Sequence, residues 1–114
     1  MTAIHLPRER YTWKVGSTRT PRLSYDEVLE TSELLTGTPT VVEVTTSDLT
    51  IDNKAVSTAA LTIKNETIAA GRALTFRVSG HGVTNAPYTL TVTASTDATP
   101  AQTFVKQLII DVEA

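Results

Sequence analysis

Three stretches in the second half of the chain alternate apolar and polar residues with a period of two, and few folds accommodate that pattern. Residues 73–79 set Leu74, Phe76 and Val78 on one side and Thr75, Arg77 and Ser79 on the other. Residues 87–95 repeat the arrangement, with Tyr88, Leu90, Val92 and Ala94 opposite Thr89, Thr91 and Thr93. In residues 103–113, Phe104, Lys106, Leu108, Ile110 and Val112 share one parity. Successive side chains of a strand point to opposite faces, so each stretch reads as a half-buried strand. Gly80-His81-Gly82-Val83-Thr84-Asn85 and the segment from Asp97 to Pro100 have turn composition. Three strands in sequence with turns between them predict an antiparallel meander. Lys106 is the exception within its parity, and its long stem is expected to carry the charge to the surface near the strand end.

The middle of the chain continues the pattern less regularly. Thr40–Thr46 is strand-like, and Leu49 and Ile51 extend it or start the next strand. Asp52-Asn53-Lys54 reads as a turn, Ala55–Ile63 as a strand with Leu61 and Ile63 in the core, and Ile68-Ala69-Ala70-Gly71 as a turn. Strands at this spacing predict a β-sandwich. Tyr11–Val15 is a plausible short strand, and residues 1–22 are expected to form an arm in front of a sandwich domain spanning 23–114. Residues 24–35 leave two readings open. Ser24 and Glu27 form a capping box that would start a helix, and the alternative is an extended edge segment with one turn before Gly37.

Composition agrees. Threonine makes up about a fifth of the 114 residues, and β-branched side chains favour the pleated strand. This length is one domain's worth and can bury a core without staples. The absence of cysteine removes disulfides and thiolate metal sites. A formal net charge of -2 argues against a nucleic-acid binder. No apolar run approaches the roughly 20 residues of a bilayer-spanning helix, and Met1 to Arg10 lacks the apolar centre of a signal peptide. An intracellular product, or a particle assembled inside a cell, is expected.

Residues with catalytic or metal-binding chemistry are few. His5 and His81 stand far apart, and His81 between two glycines is expected to be a solvated turn residue. Ser79-Gly80-His81-Gly82 joins two strands, whereas phosphate cradles open a helix. Asp48, Asp52 and Asn53 lack the ligand spacing of a calcium loop. Asn65-Glu66-Thr67 matches a glycosylation sequon, which has meaning only in a secreted protein. Asp26, Glu27, Glu30 and Glu33 are expected to be a solvated acidic stretch. No enzyme activity and no cofactor are expected.

Charge is unevenly distributed. Arg8, Arg10, Lys14, Arg19 and Arg22 fall in the first 22 residues, opposed only by Glu9. Seven acids, Asp26, Glu27, Glu30, Glu33, Glu43, Asp48 and Asp52, then precede the next base, Lys54. Either the basic arm folds back on its own acidic surface, or it reaches an acidic patch on a neighbouring subunit, where complementary charge fixes register. Trp, Tyr and Arg dominate interface energetics, so Arg8, Arg10, Tyr11, Trp13, Lys14, Arg19 and Arg22 are the candidate partner-binding residues. For Trp13, core packing is an equal alternative.

The order of short motifs is also informative. Asp26-Glu27-Val28-Leu29 and Leu34-Leu35-Thr36-Gly37-Thr38 precede a strand with Val41, Val42 and Val44. Ser79-Gly80-His81-Gly82, Tyr88-Thr89-Leu90-Thr91-Val92, Ser95-Thr96-Asp97 and a last strand ending Ile110-Asp111-Val112-Glu113 follow. This order resembles small virion proteins of tailed bacteriophages, the capsid cement (decoration) proteins and fibre–tail adaptors, over roughly residues 22–113. The acid that follows the first glycine in that family is Thr38 here, and its second glycine in the hairpin is His81. The resemblance implies an immunoglobulin-like antiparallel β-sandwich located in the virion and assembled in the host cytoplasm. Its partners would be the major capsid protein or tail components, with self-association open and neither nucleic acid nor membrane bound directly. A carbohydrate- or cell-surface-binding sandwich is the alternative class.

Overall fold

The computed structural model describes residues 3–44, 47–98 and 100–114. Met1 and Thr2 of the expected arm, Thr45 and Thr46 of an expected strand, and Thr99 of an expected turn lie outside them. The described residues form strands and turns, without a helix. The strands are β1 (Ile4–His5), β2 (Glu9–Lys14), β3 (Arg22–Ser24), β4 (Leu35–Glu43), β5 (Thr50–Val56), β6 (Leu61–Ile63), β7 (Glu66–Ile68), β8 (Ala73–Ser79), β9 (Tyr88–Thr96) and β10 (Thr103–Glu113).

Two sheets face each other across one core. In the larger, β10 is flanked by β9 and then β4 on one side and by β1 and β2 on the other. In the smaller, β8 lies between β3 and β5. The meander expected in the second half is only partly present. β9 and β10 pair antiparallel, Phe104 opposite Ala94 and Leu108 opposite Leu90, but β8 belongs to the opposite sheet. The chain therefore crosses between sheets where a hairpin was expected. The inward parities are as read from the sequence: Leu74, Phe76, Val78, Tyr88, Leu90, Val92, Ala94, Phe104, Leu108 and Ile110 are all buried.

Residues 3–22 do not form a separate arm. β2 pairs parallel with the last strand, from Glu9 opposite Leu108 to Lys14 opposite Glu113, and β1 pairs with its beginning. The chain then turns at Val15 and Gly16, and Arg19 bridges Val78 in the other sheet through two backbone hydrogen bonds of 2.7 and 2.9 Å. Glu9, Tyr11 and Trp13 point inward while Arg10, Thr12 and Lys14 point outward, so the basic residues occupy the solvent side of an ordinary strand. Two smaller corrections follow the same logic. Asp52-Asn53-Lys54 is a bulge inside β5, with Asn53 at a φ of 53°, and no turn. The strand expected over 55–63 breaks after Val56, and Leu61–Ile63 instead forms a hairpin with β7. That hairpin buries Ile63 and Ile68 against Ala73.

Of residues 24–35, Ser24 ends β3 and Leu35 starts β4, and residues 25–34 between them are neither helix nor strand. After a single turn, in which the Leu29 amide donates to the Tyr25 carbonyl, the segment is held by Arg72. Its Nε bonds Asp26 at 2.5 Å, and its two terminal nitrogens reach the carbonyls of Asp26, Leu29, Glu30 and Glu33 at 2.9–3.1 Å. A planar guanidinium with five N–H donors can meet a ring of carbonyls in this way, and an ammonium cannot. These bonds satisfy backbone groups that a helix would have paired internally. Arg72→Ala is expected to lower stability by about 2–4 kcal/mol, and Arg72→Lys to restore only part of it, as measured by urea unfolding. Amides between 26 and 35 should lose hydrogen-exchange protection in both variants.

Candidate functional site

The seven candidate partner-binding residues separate into three environments. Trp13 is 7% exposed and belongs to the core. Tyr11 is half-buried beside it, with ring centroids 5.7 Å apart. Arg10 and Lys14 lie on the outer side of β2 and pair with acids of β10: Arg10 Nε with Asp111 at 2.7 Å and Lys14 Nζ with Glu113 at 3.3 Å. Both pairs are well exposed, and pairs of that kind contribute about 0–1 kcal/mol. Arg8, Arg19 and Arg22 are exposed, and Arg22 donates to the Thr62 carbonyl at 3.3 Å. The basic segment thus meets acids of the last strand. The acids of the 26–52 segment are paired elsewhere, Asp26 with Arg72 and Asp52 with Arg77. The two charged blocks of the sequence do not neutralise each other.

Two features escaped the sequence reading. The first is a charged pair below the surface. Lys106 is 9% exposed, and its ammonium meets Glu9 at 2.5 Å instead of reaching solvent. Lys64 approaches the other Glu9 oxygen at 3.4 Å, and the Tyr11 hydroxyl donates to the same atom at 3.3 Å. Burial works against the Glu9 carboxylate, but the hydrogen bond and charge of Lys106, with the charge of Lys64, outweigh it and hold the group below its ordinary range. Burial first, and then the Glu9 charge, push the Tyr11 and Tyr25 phenols upward.

The second is His81, which is 1% exposed and no solvated turn residue. Its ring sits 5.4 Å from Trp13, and Nε2 lies 2.8 Å from the Lys14 carbonyl and 3.1 Å from Ser17 Oγ. A carbonyl only accepts, so Nε2 carries the proton. That leaves Nδ1 buried without a partner. His81 therefore clasps the end of β2 to the loop after β8. A histidine between glycines resembles a loop tip in sequence, and only the packing of Trp13 against it reveals the clasp.

The remaining surface feature is the outer face of the larger sheet. Thr40 and Val42 of β4, Thr89, Thr91 and Thr93 of β9, and Val105, Gln107 and Ile109 of β10 lie side by side in register. Val42 and Val44 are each 52% exposed. The eight aligned residues carry no charge. All six aromatic residues of the chain, by contrast, are buried or half-buried. Asp48 is engaged by Asn85 and the Tyr88 hydroxyl at 2.7 and 3.0 Å, while Asp52 faces Arg77. A scan of protein-family models and a search of curated proteins find no match to this chain.

Glu9→Gln leaves the Lys106 ammonium buried without a counter-charge. It is expected to cost about 2–3 kcal/mol, less than a fully buried pair because Glu9 retains some solvent contact. The folded-state value of Glu9 lies below its ordinary 4.5. Its stabilisation is therefore complete above that value and lost as pH falls through the depressed one. Thermal unfolding followed through the acid range should show the gap between wild type and Glu9→Gln closing. For His81→Ala, a loss of about 2 kcal/mol is expected, with a red shift of the fluorescence of the single tryptophan.

Proposed function

We propose that the chain is an immunoglobulin-like structural module of a bacteriophage virion, a capsid cement protein that stabilises the particle by bridging capsid subunits. The strand order supports the fold part of this reading. β3, β8 and β5 stand in the places of strands B, E and D, and β4, β9 and β10 in those of C, F and G, with β2 beside the last as an A strand. Tyr88, at the start of β9, accepts a hydrogen bond from the Gly82 amide six residues upstream at 3.1 Å. That contact corresponds to the tyrosine corner of immunoglobulin-like sandwiches.

The observation that carries the functional part is the uncharged stretch of the larger sheet's outer face, from β4 across β9 to Ile109 of β10, bounded by the Arg10–Asp111 pair. These rows of threonine, valine, glutamine and isoleucine offer area for protein contact without the desolvation cost of buried charge. The cementing action adds no chemistry. A partner that binds only the assembled, intact state stabilises that state by mass action, and repetition over a lattice multiplies the effect. The Arg10–Asp111 pair borders this stretch beside Ile109, and charge at a rim guides register and association rate. The virion assignment itself comes from the order of short motifs. A fibre–tail adaptor differs in partner and not in the physics of docking. Carbohydrate recognition is disfavoured, because stacking on sugar rings needs an exposed aromatic and none of the six is exposed.

Purified protein mixed with capsids of the encoding phage, stripped of their accessory proteins, is expected to co-sediment saturably at one copy per capsid subunit. Val42→Glu with Ile109→Lys should abolish that binding while leaving the melting temperature within a few degrees. Binding to isolated tails and not to capsids would move the reading to the adaptor, and binding to neither would sink it.

A further inference from the structure

A cavity of about 340 Å³ opens at the edge of the sandwich where the β1–β2 connection, β10 and the β6–β7 hairpin meet. Leu6, Val28 and Ile63 form its apolar wall, and Arg8, Tyr25 and Lys106 border it with polar groups. Tyr25 is 1% exposed, and its hydroxyl has no hydrogen-bond partner. The Lys106 ammonium carries three N–H donors. Its one ion pair is with Glu9, and it stands 5.8 Å from the centre of the Tyr25 ring. Arg8, exposed at the mouth, makes no ion pair or hydrogen bond among the described residues. Four bases, Arg8, Arg22, Lys64 and Lys106, and three acids, Glu9, Glu27 and Glu66, border the cavity, and Glu9 is already occupied by Lys106, Lys64 and Tyr11. Basic groups therefore outnumber acidic ones around a space large enough for a side chain.

We propose that this cavity binds a single carboxylate on a short apolar stem. The carboxylate accepts from the Lys106 ammonium and the Arg8 guanidinium, and the stem lies against Leu6, Val28 and Ile63. Glu27 and Glu66 also border the cavity and are exposed. They select against multiply charged anions such as phosphate, whose extra charge they repel, while a single charge is offset by the bases. A glutamate side chain of a partner protein and a free short-chain acid share this chemistry. The inference rests on the cavity alone and is independent of the virion reading.

The test is a titration of the intact chain, monitored by backbone amide shifts around Tyr25 and Lys106. The probes are butyrate, its uncharged analogue butyramide, inorganic phosphate and the end-blocked tripeptide Ala-Glu-Ala. Butyrate should saturate with a dissociation constant on the order of 1 mM, as suits so small a ligand. Butyramide and phosphate should bind at least about tenfold more weakly, a difference near 1.4 kcal/mol. Tighter binding of the tripeptide than of butyrate would assign the site to a partner's acidic side chain, and the reverse order to a free acid. Arg8→Gln, a surface change, should weaken butyrate binding with no loss of stability. Equal binding of butyrate and butyramide, absence of a saturable shift, or an Arg8→Gln variant that binds butyrate as well as the wild type would overturn the proposal.

Discussion

The contact between Glu9 and Lys106 joins the first long strand of the chain to the last, across nearly its whole length. Neither group is stable alone at that depth, because removing a charge from water costs several kcal/mol unless a partner replaces the solvent. Each therefore obliges the other to be present. Once Glu9 is seated, the alternation of β2 places Tyr11 and Trp13 inside, and the parallel ladder with β10 follows. His81 closes the far end of the same strand through the Lys14 carbonyl. The inward side chains of the N-terminal segment are thereby part of the core, and only its outward ones are open to a partner.

A similar division of labour operates on the other side of the molecule. The link between β3 and β4 must cross from one sheet to the other without regular structure of its own. Its backbone carbonyls would be costly to leave unpaired at the edge of a core. Arg72 takes four of them, and Asp26 supplies the compensating charge. Tyr88 performs the equivalent task at the loop after β8, bonding Gly82 and Asp48 together. These polar contacts add little hydrophobic energy. They determine which irregular path the chain takes between layers that apolar burial alone would hold in several arrangements.

Reading the residues recovered the strands with the cleanest alternation, β8, β9 and β10, down to the identity of every buried apolar residue from Leu74 to Ile110. It failed where a signal needed a distant partner. For Trp13 the sequence leaves interface and core equally open, because arginines and lysine dominate the segment around it, and only the folded strand puts it in the core. Lys106 sat on the apolar parity and was assigned a route to solvent, because nothing near it in sequence announces Glu9. His81 looked like a loop tip for want of any local sign that Trp13 packs on it. The cavity beside Tyr25 combines residues from four separate segments and has no linear signature at all.

Period-two hydrophobicity and the abundance of β-branched residues are local properties. They follow from how side chains alternate along an extended backbone, so the all-β class and the inward faces of the later strands could be stated from the order of residues alone. Partnership is not local. Which strands share a sheet, that the N-terminal strand runs parallel to the last, and which buried charges neutralise one another are set by long-range burial and desolvation. Those energies exist only once segments far apart in sequence have been brought within a few ångströms. For that reason, the uncharged stretch of the larger sheet's outer face and the cavity bordered by four bases became visible only in the folded molecule.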